Sequence, residues 1–78
     1  MASVKKVLLS ESVKFIELCQ GNVLSGKINI ETYNLLSNMK IKFLRNFLKE
    51  EVLEVNIDRD FSKRINNLFV INNMLQYR

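Results

Sequence analysis

A chain of 78 residues with one cysteine, no histidine and no proline lies near the lower size limit at which a hydrophobic core alone keeps a protein folded. The 47% hydrophobic and 26% charged fractions are typical of a globular protein and argue against a disordered tail. A single cysteine excludes internal disulfides, and without histidine the usual zinc ligand sets are missing. We therefore expect one domain over residues 1–78, with self-association as a further source of stability.

Composition also bears on location and origin. No apolar run approaches the ~20 residues needed to cross a bilayer, and Val7–Leu9 is shorter than the ~7–15-residue apolar stretch of a signal peptide. We therefore expect a cytoplasmic protein without a membrane partner, and we rank a membrane-surface role for the second predicted helix last among the alternatives. The abundance of asparagine, lysine and isoleucine is typical of an AT-rich bacterial or phage genome. The net charge of +4 permits an acidic partner without requiring one.

The first predicted helix covers residues 10–24, with Ser10 as its N-cap. Its apolar side chains are spaced three and four apart, as on one helix face: Val13, Ile16, Cys19 and Val23. Gly26 stands where a left-handed residue commonly ends a helix, which predicts a short connection over residues 25–29. For residues 1–9, a strand, a helix and a disordered arm are all open alternatives.

A strand at Val4–Leu9 would give an order of elements that is similar to the ribbon-helix-helix DNA-binding dimers. If Val7 and Leu9 faced the core, the outward positions would be Val4, Lys6 and Leu8. Base edges are read chiefly by hydrogen-bonding side chains, and two of these three are apolar. The similarity covers only the first half of the chain, so we do not assign it to this family.

The second predicted helix covers residues 30–54. Asn29 is a suitable N-cap, and Ile28 and Tyr33 have the spacing of a hydrophobic staple. Its apolar residues extend around more than half of the helix: Met39, Phe43, Leu36, Phe47, Tyr33, Leu44, Leu48, Ile41 and Val52. A ~100° stripe is enough to face a single core, so we expect this helix to be packed on two sides.

The third predicted helix covers residues 59–77, with Asp58 as its N-cap and Asp60 in its positive first turn. Its most specific pattern alternates by four and three like a heptad seam, with asparagine at one a position: Phe61, Ile65, Leu68, Asn72 and Leu75. Such an asparagine can restrict a coiled coil to two strands. Two interpretations stay open, a self-association seam and an ordinary amphipathic helix that docks on its own core with Asn72 hydrogen-bonded there.

Three basic residues, Lys42, Arg45 and Lys49, form a stripe along the second helix opposite its apolar arc. They indicate either a site for nucleic acid or an acidic protein, or simply the solvated back of an amphipathic helix. No aromatic residue interleaves with the stripe, so base stacking on it is not supported. Lys5 and Lys6 give the N-terminal segment a second candidate contact with nucleic acid.

Catalytic chemistry has little support. Histidine, the commonest proton-transfer group, is absent, and Cys19 falls on a predicted apolar face, which indicates a structural thiol. The carboxylates of Glu50, Glu51 and Glu54 end a basic helix, where they would be solvated. Residues 56–60 begin like an EF-hand calcium loop but lack its glycine and final glutamate.

The sequence therefore predicts an all-α, three-helix, dimeric domain that works as a non-enzymatic protein-interaction or regulatory module. We expect no cofactor, metal or small-molecule substrate. The alternative is a nucleic-acid-binding regulator that uses the basic stripe or the N-terminal segment.

Overall fold

The computed structural model describes residues 4–50 and 59–77. Three α-helices account for most of them: α1 (Val4–Leu24), α2 (Ile30–Glu50) and α3 (Arg59–Gln76). No strand occurs in these two ranges, which confirms the expected small all-helical domain of three helices. The dimeric state stays a prediction.

The start of α1 differs from the prediction. The helix begins at Val4 instead of Ser10, so residues 4–9 are helical, Ser10 is not an N-cap, and the strand of the ribbon-helix-helix alternative is wrong. The reason lies in Leu9, which is only 1% exposed and lies four residues before Val13. Leu9 thus extends the apolar face of α1 by another turn.

The connection between α1 and α2 follows the prediction closely. Gly26 has a φ of +81°, and the amides of Gly26 and Lys27 donate to the carbonyls of Val23 and Asn22 at 3.0 and 2.8 Å. These bonds end α1 in the manner of a Schellman motif, which needs a residue that adopts positive φ without strain.

The first turn of α2 confirms Asn29 as its N-cap. The Asn29 Oδ1 atom accepts a hydrogen bond from the Thr32 amide at 2.8 Å, which satisfies one of the unpaired donors of the turn. Tyr33 is part of the core and Ile28 is half-buried against it, which is consistent with the predicted staple.

The predicted extension of α2 to residue 54, and the Asp58 cap of α3, lie outside the described residues. Asp60 lies in the first turn of α3 as expected, where the helix dipole favours a negative charge. The end of α3 at Gln76 is within one residue of the prediction, which is the usual uncertainty of a helix terminus.

The three helices form a bundle in which α1 packs closely against both α2 and α3. The five-residue connection makes α1 and α2 antiparallel, and the Lys40 ammonium lies 4.8 Å from the centre of the Phe15 ring. On the other side of α1, the Arg64 guanidinium of α3 donates two hydrogen bonds to the Glu17 carboxylate, at 2.6 and 3.2 Å. Because both partners of this ion pair are substantially exposed, it contributes little stability.

The core receives side chains from all three helices. Within residues 4–50 and 59–77, twelve residues form it: Leu9, Val13, Ile16, Cys19, Val23, Tyr33, Ile41, Leu44, Phe47, Ile65, Leu68 and Leu75. Half-buried aromatic side chains at Phe15, Phe43, Phe61 and Phe69 pack around this cluster. The burial of these apolar side chains is the main stabilising contribution to the fold.

Candidate interaction surfaces

A buried polar network joins the three helices near the end of the bundle where α1 is connected to α2. Gln20 Nε2 in α1 donates to the Leu68 carbonyl oxygen at 2.9 Å and to the Tyr33 hydroxyl at 3.1 Å. The Tyr33 hydroxyl in turn donates to Asn72 Oδ1 at 2.7 Å. Gln20, Tyr33 and Asn72 are 3%, 0% and 9% exposed. Buried polar groups are tolerated when they are hydrogen-bonded in this way.

This network favours the intramolecular interpretation of the α3 seam. Ile65, Leu68, Asn72 and Leu75 are buried in the chain's own core, and Phe61 is half-buried against that core. Asn72 is hydrogen-bonded there, as the intramolecular interpretation requires. Self-association through these five residues stays untested, but it would have to replace contacts that the single chain already makes.

Two buried groups are shifted towards their neutral forms. Burial raises the pKa of the Tyr33 hydroxyl, and the hydrogen bond from Gln20 offsets part of this effect. Burial likewise raises the pKa of the Cys19 thiol, which the nearby charge of Lys40 partly opposes. A thiol that resists ionisation is a poor nucleophile, so Cys19 has the environment expected of a structural residue.

The three side chains of the basic stripe, Lys42, Arg45 and Lys49, are all exposed and lie along one side of α2. The Arg45 guanidinium lies 5.8 Å from the centre of the Phe69 ring in α3. This cation–π contact holds Arg45 against α3. The structure thus brings the predicted stripe together, while the side chain of Lys5 lies outside the described residues and Lys6 is exposed in α1.

A second surface of α2 is apolar and exposed. α2 contacts both other helices, but part of its wide apolar arc stays uncovered. Within that arc, Met39 is 76% exposed and Leu36 is 48% exposed. The neighbouring Leu35 is 83% exposed. These three residues, which we call the apolar stripe, are neighbours on one side of α2, with Leu35 and Met39 four residues apart. Val52, the last member of the predicted arc, lies outside the described residues.

A polar groove of about 320 Å³ separates α2 from α3. Its lining is rich in side-chain amides: Asn34, Ser37, Asn38, Ile41, Arg45, Asn72, Asn73 and Gln76. At one end, Asn34 and Gln76 bond to each other reciprocally, with N···O distances of 3.1 and 2.8 Å. α1 packs closely against both helices, whereas the side chains that line this groove between α2 and α3 are mostly polar.

Sequence reasoning missed this groove and the role of Gln20. Gln20 lies four residues after Ile16 and seven after Val13, so its position on the buried face of α1 could have been read from the spacing. The groove had no comparable signal, since its asparagines come from two helices that are distant in sequence.

The residues considered for catalysis and calcium binding lie mostly outside the described ranges. This applies to Glu51 and Glu54, to residues 56–58 and to the side chain of Glu50. Within the described ranges, no three acidic or cysteine side chains gather in a metal-binding group. No helix in these ranges combines the length and apolarity that crossing a bilayer requires.

Comparison of the chain with models of protein families, with curated proteins and with solved structures gives no significant match. Any functional assignment therefore depends on the surfaces described above.

Proposed function

We propose that this chain is a non-enzymatic helical interaction module that self-associates through the apolar stripe of α2. The observation that carries the proposal is the exposure of Leu35, Leu36 and Met39 side by side on one helix. Single exposed apolar residues are normal on a protein surface, whereas adjacent ones commonly mark an interaction site. A regulatory role in the bacterial cytoplasm, for a protein encoded by a bacterium or a phage, is part of the same expectation from the sequence.

Charge favours a second copy of the chain as the partner. The first half of α2 carries Glu31 as its only charged residue, whereas the second half carries four basic residues and one acidic residue: Lys40, Lys42, Arg45, Lys49 and Glu50. In a two-fold symmetric dimer with antiparallel α2 helices, the acidic end of each helix faces the basic end of its partner. The helix dipoles are then also opposed favourably. A second copy would add buried apolar area to a core of marginal size.

The Met39→Lys substitution tests this surface. A charge at the centre of the apolar stripe would have to be desolvated in the dimer, so we expect the variant to be monomeric at concentrations where the parent protein is dimeric. Analytical ultracentrifugation from about 10 μM to 1 mM measures the difference.

Met74→Lys is the matched control, because Met74 is 64% exposed on α3 and the substitution changes charge equally. The control should remain dimeric. A strictly monomeric parent protein would refute the self-association. A dimer disrupted by Met74→Lys and not by Met39→Lys would place the interface on α3.

The alternative function is nucleic-acid binding by the basic stripe. Its support is the shared exposed face of Lys42, Arg45 and Lys49. If the stripe neutralises phosphates, affinity for a duplex should fall steeply with salt concentration. Lys42→Glu combined with Arg45→Glu should then abolish binding, measured by fluorescence anisotropy with a labelled duplex. The absence of binding by the parent protein at low salt would exclude this function.

A further inference from the structure

The floor of the groove between α2 and α3 presents a hydrogen-bond donor whose direction is fixed by the buried network. The Leu68 carbonyl can only accept, so the atom of Gln20 that contacts it must be the amide nitrogen. That nitrogen also donates to the Tyr33 hydroxyl, and the single hydroxyl proton is left for Asn72 Oδ1.

The Asn72 amide therefore has its oxygen towards Tyr33 and its NH₂ group towards the groove, which Asn72 lines. The side chain is 9% exposed, yet no described residue accepts a hydrogen bond from this NH₂ group. No described side-chain nitrogen or oxygen is both fully buried and unpaired, so this NH₂ group reaches the surface of the groove, where it is available to an external acceptor.

A positive charge borders the same groove. Arg45 is one of its lining residues, and the Arg45 guanidinium rests against Phe69 at the edge of the groove, without a hydrogen-bond acceptor among the described residues. Contact with a ring face leaves the N–H groups in the guanidinium plane free to donate. Asn38 and Asn73 also line the groove, and their amides can both donate and accept.

We propose that this groove binds the carboxylate of an aspartate or glutamate side chain in an acidic segment of a protein partner. A carboxylate offers two acceptor oxygens in one plane, which suits one amide donor and one guanidinium. The surrounding amides suit the alternating donors and acceptors of a peptide backbone. A nucleic-acid backbone is less suited, because Arg45 is the one cation among the described residues that line the groove and repeated phosphates need several.

This proposal goes beyond the self-association of the apolar stripe, since it concerns a different surface and does not depend on a dimer. The two can be separated with the Met39→Lys variant. If both proposals are correct, this variant loses self-association and keeps carboxylate binding.

The experiment is an NMR titration of the ¹⁵N-labelled protein with the blocked peptide acetyl-Gly-Glu-Gly-amide. We expect saturable shifts of the Asn72 side-chain NH₂ signals and of the Arg45 Nε–H signal. The matching peptide with glutamine in place of glutamate should bind at least about tenfold more weakly, since hydrogen bonds to charged groups are the stronger ones. Equal shifts with both peptides, or none with either, would overturn the proposal.

Two variants test the assigned donors. Arg45→Gln in α2 should weaken binding about tenfold or more. Lys63→Gln is the control, because it removes the same charge from an exposed position on α3, and it should leave binding unchanged. Asn72→Asp keeps an oxygen for Tyr33 but replaces the donor with a second oxygen, so binding should be lost. If Asn72→Asp does not fold, Arg45→Gln against Lys63→Gln decides the question.

Inorganic phosphate and a dT12 oligonucleotide, titrated separately, distinguish other sources of an anionic group. The assignment to a carboxylate would be refuted if either probe shifted the Asn72 NH₂ signals at a lower concentration than the glutamate peptide does. Little response to either, with a clear response to glutamate, would support it.

Discussion

The Leu9→Ala variant is expected to lose about 2–5 kcal/mol of unfolding free energy, the usual range for removing a buried leucine side chain. Leu9 is only 1% exposed and anchors the first turns of α1 to the core. A domain of this size gains roughly 3–5 kcal/mol from its whole core, so the variant should be largely unfolded at room temperature. Urea denaturation followed by circular dichroism at 222 nm measures the loss.

Leu18→Ala provides the control on the same helix, because Leu18 is 64% exposed. Its effect should stay within about 0.5 kcal/mol. If residues 1–9 formed a disordered arm, both variants would behave alike, and the helical start of α1 at Val4 would be refuted.

The second large effect concerns Asn72. We expect Asn72→Leu to lower the unfolding free energy by about 1–3 kcal/mol, because the buried Tyr33 hydroxyl loses its acceptor. A dimeric coiled-coil seam predicts the opposite sign, since replacing a buried asparagine at an a position with leucine increases stability and relaxes the oligomeric state. Denaturation and sedimentation of the same variant therefore distinguish the two interpretations.

The exposed neighbour Asn73 supplies the control, and Asn73→Leu should change stability by no more than about 0.5 kcal/mol. The combination of Asn72→Leu with Tyr33→Phe removes donor and acceptor together, so it should cost less than the sum of the two single variants. Strict additivity would show that the two side chains do not interact.

The local signals in the sequence were sufficient wherever a single residue type has a strong backbone preference. Gly26 ends α1 and Asn29 caps α2, as their residue types predict, because positive φ and N-capping depend on neighbouring residues only. The prediction of Ser10 as an N-cap is wrong, because serine is also tolerated inside a helix when packing on either side stabilises the helix. The burial of Leu9, which depends on the rest of the fold, overrides that local preference.

The α3 seam shows a different limit. Spacing identifies a buried face, but a pattern of leucine, isoleucine and asparagine is the same whether the covering surface comes from the same chain or from a second one. Only the positions of Tyr33 and Gln20, 39 and 52 residues away in sequence, reveal what meets Asn72. The groove beside it was unpredictable for the same reason.

The hydrogen bonds among Gln20, Tyr33 and Asn72 also constrain how the sequence can change over evolutionary time. Losing one member leaves a buried donor or acceptor unpaired, whereas replacing all of them with apolar residues of similar shape removes that penalty. Single substitutions at these positions therefore lead through less stable intermediates. Homologous chains should keep the three residues together or exchange them together, as a covarying set spread over three helices.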